Sequence, residues 1–536
     1  MQTKYVVVLG SLLSGLGKGI LTASMGKILS FYGHKVLPVK FDGYLNYDCG
    51  TMNPFRHGEV FVLDDKSEVD MDFGTYERFL NIEMDSMSSI TGGKLFSDII
   101  AKERKGDFLG TDVQIVPHLT SYILEKINAI AKAKQPEIML IEVGGTVGDI
   151  ENSYFIEAMR QLSNTEKVVF VTITYVPELE SVGEQKTKPT QIALRQLMQV
   201  GVMPDFIVSR SSKPLSENAK SKLALYSSLP ESNIIDDHDS DNIYKLPLHL
   251  MEQGFGKMLA EKLDVSSTPD KKAIRDWLST VDGKRNRRVR ISIVGKYVAL
   301  KDAYASLKEA FSHAGMANHA NVELKWVESE NLENKKASDI AAALKDSDGI
   351  LVPGGFGKRG IEGMINAIEY ARNNKIPFLG ICLGMQLMAV EYARNVCMLK
   401  GANSTEFDKS ARYKIIDLME DQKHIKYKGG TMRLGSWPLK IKKGTLTYEA
   451  YGKQLVNERH RHRFEFNNRY RAIMEKRGLV ISGTTPDNML VENIEWKGSF
   501  GIGTQAHPEL KSRPQSPAPL FVSFIGSAIK YGGIRH

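Results

Sequence analysis

Three residues near the end of the 536-residue chain have the types that acyl transfer requires. Cys382 stands in "IPFLGICLGMQ", between a short apolar run and a helix-like segment, with Gly380 and Gly384 on either side. Glycines so placed let a strand turn sharply into a helix, and a helix N-terminus favours thiolate over thiol. A cysteine nucleophile also needs a base and a group that orients the base. "AHPEL" supplies both, as His507 and Glu509, two positions apart after a strand-like run. A buried structural cysteine and a surface histidine are the plain alternative. That reading explains Cys382 alone equally well, but not the three residues together. Cys49 and Cys397 have no comparable setting and read as structural.

A second group of residues suits phosphate. "GSLLSGLGKGI" (10–20) follows the apolar run "YVVVLG" and opens a helix. Backbone N–H groups in such a loop cradle phosphate oxygens, and Lys18 would neutralise them. The loop departs from the Walker A pattern: Leu stands at 12, and Gly19 takes the place of the usual metal-binding hydroxyl. Asp72, Glu142 at a strand end, and Asp149 and Glu151 beyond it are carboxylates of the kind Mg²⁺ prefers. "EQKTKPTQ" sets Lys186 and Lys188 beside hydroxyls and a turn proline, which suits a triphosphate. Taken singly, each acid or lysine is equally an ordinary solvated surface group.

These residues need elements to hold them. Apolar runs at 5–10, 35–41, 138–145, 167–176 and 204–210 alternate with helix-like segments, and a second series follows at 289–298, 348–357, 376–384 and 500–510. Near-continuous apolar strands suit parallel sheets covered on both faces. The reading is α/β with two doubly wound domains: an N-terminal P-loop-like nucleotide-binding sheet (1–265) and a C-terminal flavodoxin-like sheet (289–536). The polar, basic stretch 266–288 between them reads as a linker. A chain of this length exceeds a single core. Three cysteines without metal spacing imply a reducing, cytoplasmic setting. The net charge of +8 favours anionic partners. No nucleic-acid-binding motif and no membrane-length apolar run is present, and the N-terminal run reads as a first strand, not a signal peptide.

"PGGFGKRGIEG", "PFLGICLGMQ" and "HPE" resemble class I glutamine amidotransferases. The resemblance implies a Cys382–His507–Glu509 triad that frees ammonia from glutamine through a thioester. It implies an oxyanion hole at Gly355 and Leu383, and glutamine contacts from Gly384, Met385, Gln386, Glu406 and Arg463. The longer motifs "VKFDGYLN", "GTMNPFRHGEVFVLDD", "KERKGDFLG", "EVGGTVGDIE" and "KTKPTQ" extend the likeness, and over its whole length the chain resembles the CTP synthase family. That implies amination of UTP at C4 with glutamine-derived ammonia, after ATP phosphorylates the uracil O4. UTP, and the product CTP in an overlapping site, would meet Ser14, Asp149, Ile150, Glu151, Lys186, Thr187, Lys188, Pro189, Thr190, Gln191 and Lys222. ATP would meet Gly15, Leu16, Gly17, Lys18, Gly19, Ile20, Lys40, Asp72, His238, Asp239 and Ser240, with Asp72 and Glu142 on Mg²⁺ and no organic cofactor. GTP as activator, CTP as feedback inhibitor, a homotetramer, and an ammonia passage past His57 and Val60 are further implications.

The chain departs from the family at Ser11, Gly15, Gly43, Cys49 and Ala506, none of them a presumed catalytic group. A different synthetase fused to a glutaminase, such as a cobyric-acid-type amide synthase, is the alternative enzyme; it has no evident need for "KTKPTQ" or "GTMNPFRHGEVFV". A GMP-synthetase-like reading lacks its "SGGVDS" loop. A filament-forming scaffold would not need the triad.

Overall fold

The computed structural model describes residues 2–53, 57–179, 181, 183–296, 301–419 and 431–535. The chain forms two compact units, one of Met1–Cys49 with Thr75–Asp282, the other of Gly50–Gly74 with Gly283–His536.

The first unit is built on a seven-stranded parallel sheet. From edge to edge its strands are Ile234–His238, Phe206–Ser211, Val168–Tyr175, Lys4–Gly10, Ile138–Val143, Val36–Asp42 and Ser89–Thr91. Its first strand is buried from Tyr5 to Gly10, which is why that run shows no polar alternation. Tyr5, Val7 and Leu9 join one core and Val6 and Val8 the other, as the period of two requires. Lys18–Phe31 supplies Leu21, Met25 and Ile28 to the second core, and Thr120–Lys134 supplies Ile123, Ile127 and Ile130 to the first.

The segment expected as linker 266–288 is not extended throughout: Lys271–Val281 is a helix capped by the Asp270 side chain. Trp277 is fully buried there and its indole N–H donates to the Tyr244 carbonyl at 3.0 Å. The buried Trp277 and Val281, four apart, give the segment an apolar face that its many charges obscure in the sequence.

The second unit has a nine-stranded sheet. Five strands are parallel, in the order Ala320–Glu328, Arg287–Gly295, Gly349–Val352, Phe378–Ile381 and Gly501–Thr504. Numbered along the chain this is 2-1-3-4-5, the flavodoxin-like order. Four antiparallel strands extend it: Val491–Glu495, Val480–Thr484, Arg433–Ile441 and Leu455–His462. The sequence reading had no place for this extension. Its last strand, "LVNERHRH", looks like a solvated surface strand, yet Arg459, His460 and His462 are buried. Arg459 pairs with Asp64, while burial and the nearby Arg433 hold His460 and His462 well below the usual histidine range; Arg433 itself pairs with Glu492 (2.7 Å) and Glu465 (3.3 Å).

Residues 50–74 also belong to this unit, not to the N-terminal one as expected. They carry a short hairpin, Phe61–Val62 with Glu68–Val69, whose apolar side chains are buried. Glu68 pairs with Arg461 at 2.9 Å, and Glu59 accepts the Ser306 N–H at 2.9 Å. Buried ion pairs across nearly four hundred residues of sequence leave no local trace. Among the described residues, no helix is long and apolar enough to cross a membrane.

Candidate functional sites

In the second unit Cys382 lies between the strand Phe378–Ile381 and the helix Leu383–Asn395. Its φ of 51° and ψ of −100° mark a strained turn, which the hydrogen bond from its N–H to the Thr504 carbonyl (2.7 Å) helps to hold. The flanking glycines are required by space: a Cβ on Gly380 would meet the Gly384 backbone at 2.7 Å, and one on Gly384 would meet the Val352 carbonyl oxygen at 2.1 Å. A Cβ on Gly354 would lie 2.7 Å from His507 Cε1 and 3.6 Å from Cys382 Cβ, so thiol and imidazole flank the same bare backbone. His507 Nδ1 bonds Glu509 Oε1 at 2.7 Å, while the buried Nε2 has no hydrogen-bond partner. Burial opposes charge on His507, but Glu509 and the Cys382 sulfur outweigh it and push the imidazole up to about 10.

Cys382, His507 and Glu509 share a cavity of about 570 Å³ with Gly355, Arg463, Arg461, Tyr304, Glu59 and Val60. Gly355 and Arg463 thus line the same cavity as the three residues. Glu406 holds the Gly357 N–H at 2.9 Å, and burial raises its carboxyl against the pull of that N–H and of Lys296. Lys296 donates to the Phe356 carbonyl at 3.2 Å and is lowered to about 8 by burial. The two residues fix the glycine loop that runs past Gly355. Leu383 offers its backbone N–H at the helix start. The expectation for side chains on this turn needs correcting. Met385 is fully buried in the apolar core, and Gln386 turns its amide inward to the Phe464 carbonyl at 2.9 Å. Val60 lines the cavity, whereas His57 is exposed and is not among its lining residues; Pro54, Phe55 and Arg56 of the same motif lie outside the described residues.

In the first unit the loop after Lys4–Gly10 enters the helix at Lys18 with Gly15 and Gly17 at positive φ (76° and 92°). Gly15, Leu16, Gly17 and Ile20 line a cavity of about 560 Å³ together with His238, Asp239 and Ser240. Lys18 instead turns to the Gly145 carbonyl at 2.7 Å, and Gly19 is buried in the helix. Sequence reasoning missed Arg210, Asp237, His249 and Lys245 on the same walls. Arg210 bonds Asp237 at 3.3 Å, yet burial keeps Asp237 raised to about 6. Asp236 accepts from His238 at 2.6 Å and lies 3.6 Å from His249. Burial would raise Asp236, but these histidines hold it below the usual carboxylate range.

Lys40 lies 3.6 Å from Glu142 and 3.9 Å from Asp42, all three buried, and the Tyr76 hydroxyl donates to Glu142. Carboxylate oxygens at the carboxyl ends of two adjacent strands are donors that a hard cation accepts, so the residues fit Mg²⁺. Asp72 starts the helix Asp72–Leu80 and lies in the segment assigned to the second unit.

Around the expected pyrimidine nucleotide site, Lys186 and Lys222 both reach Glu184, at 2.6 and 3.6 Å. Ser14, Ile150, Glu151 and Lys188 are exposed, and Asp149 accepts from Thr146 N–H and hydroxyl at 3.0 and 2.8 Å. Pro189 begins the helix Lys188–Gln199, and Thr187 accepts from Gln191 at 3.0 Å. Thr190 is a correction: it is fully buried, with its hydroxyl committed to Thr174 (3.1 Å) and the Tyr175 carbonyl (3.2 Å). It shapes the loop and offers no group to a ligand.

The family model of the CTP synthase N-terminus matches residues 4–265, and that of class-I glutamine amidotransferases matches 299–527. A CTP synthase from Carboxydothermus hydrogenoformans is 48% identical over 536 residues, covering 99% of each chain. One from Pyrococcus furiosus is 49% identical over 539 residues, covering 99% of this chain and 98% of its own. Among solved structures, the glutaminase domain of Trypanosoma brucei CTPS with bound acivicin aligns at 39% identity and a TM-score of 0.43, covering 45% of this chain and 94% of that one. The chain belongs to the CTP synthase family.

Proposed function

We propose that the chain, a glutamine-hydrolysing ligase, makes CTP from UTP by a division of labour along its length, with residues 1–265 serving synthesis and 289–536 the glutaminase. The observation that supports it most directly is the cavity shared by Cys382, His507 and Glu509, in which Glu509 holds His507 Nδ1 at 2.7 Å.

In this reading the Cys382 thiolate attacks the glutamine amide carbon. His507, held by Glu509, gives its proton to the departing ammonia and then takes one from the water that hydrolyses the thioester. The Leu383 and Gly355 N–H groups meet the oxyanion, where fixed dipoles in a dry site count most. Arg463 and Glu406 hold the head group of glutamine, with the backbone at Gly384, Met385 and Gln386 forming the floor.

For synthesis, Gly15 to Ile20 take the ATP phosphates, with Lys18 leaving the Gly145 carbonyl to reach them. His238, Asp239 and Ser240 wall the same cavity. Lys40, Asp72 and Glu142 gather the triphosphate and Mg²⁺. The cation, when bound, neutralises the charge of the transferring phosphoryl group. Ser14, Asp149, Ile150, Glu151, Lys186 to Gln191 and Lys222 hold UTP, with Thr190 acting through its neighbours, and CTP overlaps that site. Phosphorylation turns the uracil O4 into a leaving group; ammonia attacks C4 and phosphate departs. Val60 walls the exit that ammonia takes, with His57 beyond it. GTP activation, CTP feedback, a homotetramer and a cytoplasmic location complete the reading.

The test is Lys18→Ala, with Asp72→Ala beside it. CTP formation should stop with either glutamine or ammonium as nitrogen source, while basal glutamine hydrolysis persists. Ammonium-dependent synthesis near the wild-type rate would overturn the phosphate-loop assignment.

A further inference from the structure

Gln505 precedes His507 by two positions in "TQAHPEL", just past the strand Gly501–Thr504. Gln505 reaches the sulfur that His507 serves: its Nε2 donates to Cys382 Sγ at 3.6 Å, and the side chain is buried.

The orientation of that amide follows from its neighbours. The Phe464 carbonyl accepts from Gln386 Nε2 at 2.9 Å, and a carbonyl can only accept. The same Gln386 nitrogen donates to Gln505 Oε1 at 3.2 Å, so the Gln505 oxygen must face Gln386 and its NH₂ must face the sulfur. The Gln505 backbone is pinned as well, its N–H donating to the Glu492 carbonyl at 2.8 Å. The sulfur's other hydrogen-bond partner is the Arg461 carbonyl, 3.9 Å away, which suits a thiol proton only. A thiolate cannot donate, so it keeps the Gln505 bond and loses the Arg461 one. The charged side chains on the cavity walls are His507, Glu509, Glu59, Arg461 and Arg463.

We propose that Gln505 is a positioning residue of the glutaminase: oriented by Gln386 and the Phe464 carbonyl, its amide donates to the Cys382 sulfur and favours the thiolate before glutamine binds. The inference rests on Cys382 being the nucleophile.

The test uses the full chain as wild type, Gln505→Met, Gln505→Glu and Gln386→Met, each checked for cooperative unfolding. Alkylation of Cys382 by iodoacetamide is followed by peptide mass spectrometry through a pH series. Gln505→Met should slow it about tenfold at neutral pH and move its midpoint up by about one unit, the worth of one hydrogen bond to a charged group. Gln505→Glu keeps the shape but turns an acceptor on the sulfur, so it should slow alkylation more than Met. Gln386→Met, which frees the amide to turn, should fall between Met at 505 and wild type. A residue that only fills space predicts the opposite order, with the isosteric Glu nearest wild type. That order, or rates within about twofold of wild type in every variant that folds, would overturn the proposal. Should wild-type Cys382 react no faster than Cys49 and Cys397, the nucleophile reading itself fails.

Discussion

His507 carries the electrostatics of the glutaminase at the scale of single residues. Its pKa is raised from 6.5 to about 10, against burial, by Glu509 and the Cys382 sulfur. A histidine raised on folding contributes stability that is complete below its ordinary pKa and lost as pH rises through the folded value. Glutamine hydrolysis should likewise hold on the alkaline side beyond the ordinary histidine range, since Glu509 keeps on His507 the proton that departing ammonia needs. Glu509→Gln should pull that limb toward neutrality. A wild-type alkaline limb near 6.5 would contradict the pairing. The triad was legible because its types and spacing are unusual together. Gln505 was not, although it stands two residues from His507, because a glutamine carries no chemistry until its partners Gln386 and Phe464 are seen. Arg210, Asp237 and His249 escaped for a related reason: they come from separate elements and meet only at one sheet edge.

Among elements, the turn at Cys382 depends on bare backbone more than on any side chain. Gly384→Ala would put a Cβ 2.1 Å from the Val352 oxygen. Overpacking of this kind costs about 3 kcal/mol, so the denaturant midpoint should drop and glutaminase activity should fall with it. An unchanged midpoint would show that the helix start yields easily. Trp277→Ala should cost about 4 kcal/mol, as a buried aromatic removed from a packed site does, and thermal unfolding measures it. The parallel strands were readable because burial on both faces leaves continuous apolar runs, as in Tyr5–Gly10. Strands such as Leu455–His462, whose buried positions hold Arg459, His460 and His462, carry no such signal. Arg459 looks solvated until Asp64 is placed beside it, and the two histidines until their mutual bond of 3.0 Å is seen. The helix Lys271–Val281 and the segment 50–74 were misplaced alike, since their packing partners lie far off in sequence.

For the whole molecule the account turns on ammonia made by one chemistry and used by another. Most free ammonia is protonated at neutral pH and is then no nucleophile, so an enclosed exit matters. Val60 is buried on the wall of the glutaminase cavity. Val60→Phe should depress glutamine-dependent CTP formation while glutamine hydrolysis continues, so that glutamate outruns CTP; products that stay stoichiometric would remove Val60 from the path. The central claim, that glutamine cleavage at Cys382 feeds a separate ATP-dependent amination of UTP, meets its most direct test in Cys382→Ala. CTP would be measured from UTP, ATP and Mg²⁺ with glutamine and, in parallel, with ammonium. The account predicts that the variant makes no CTP from glutamine and makes it from ammonium at close to the wild-type rate. Equal loss with both nitrogen sources would contradict it.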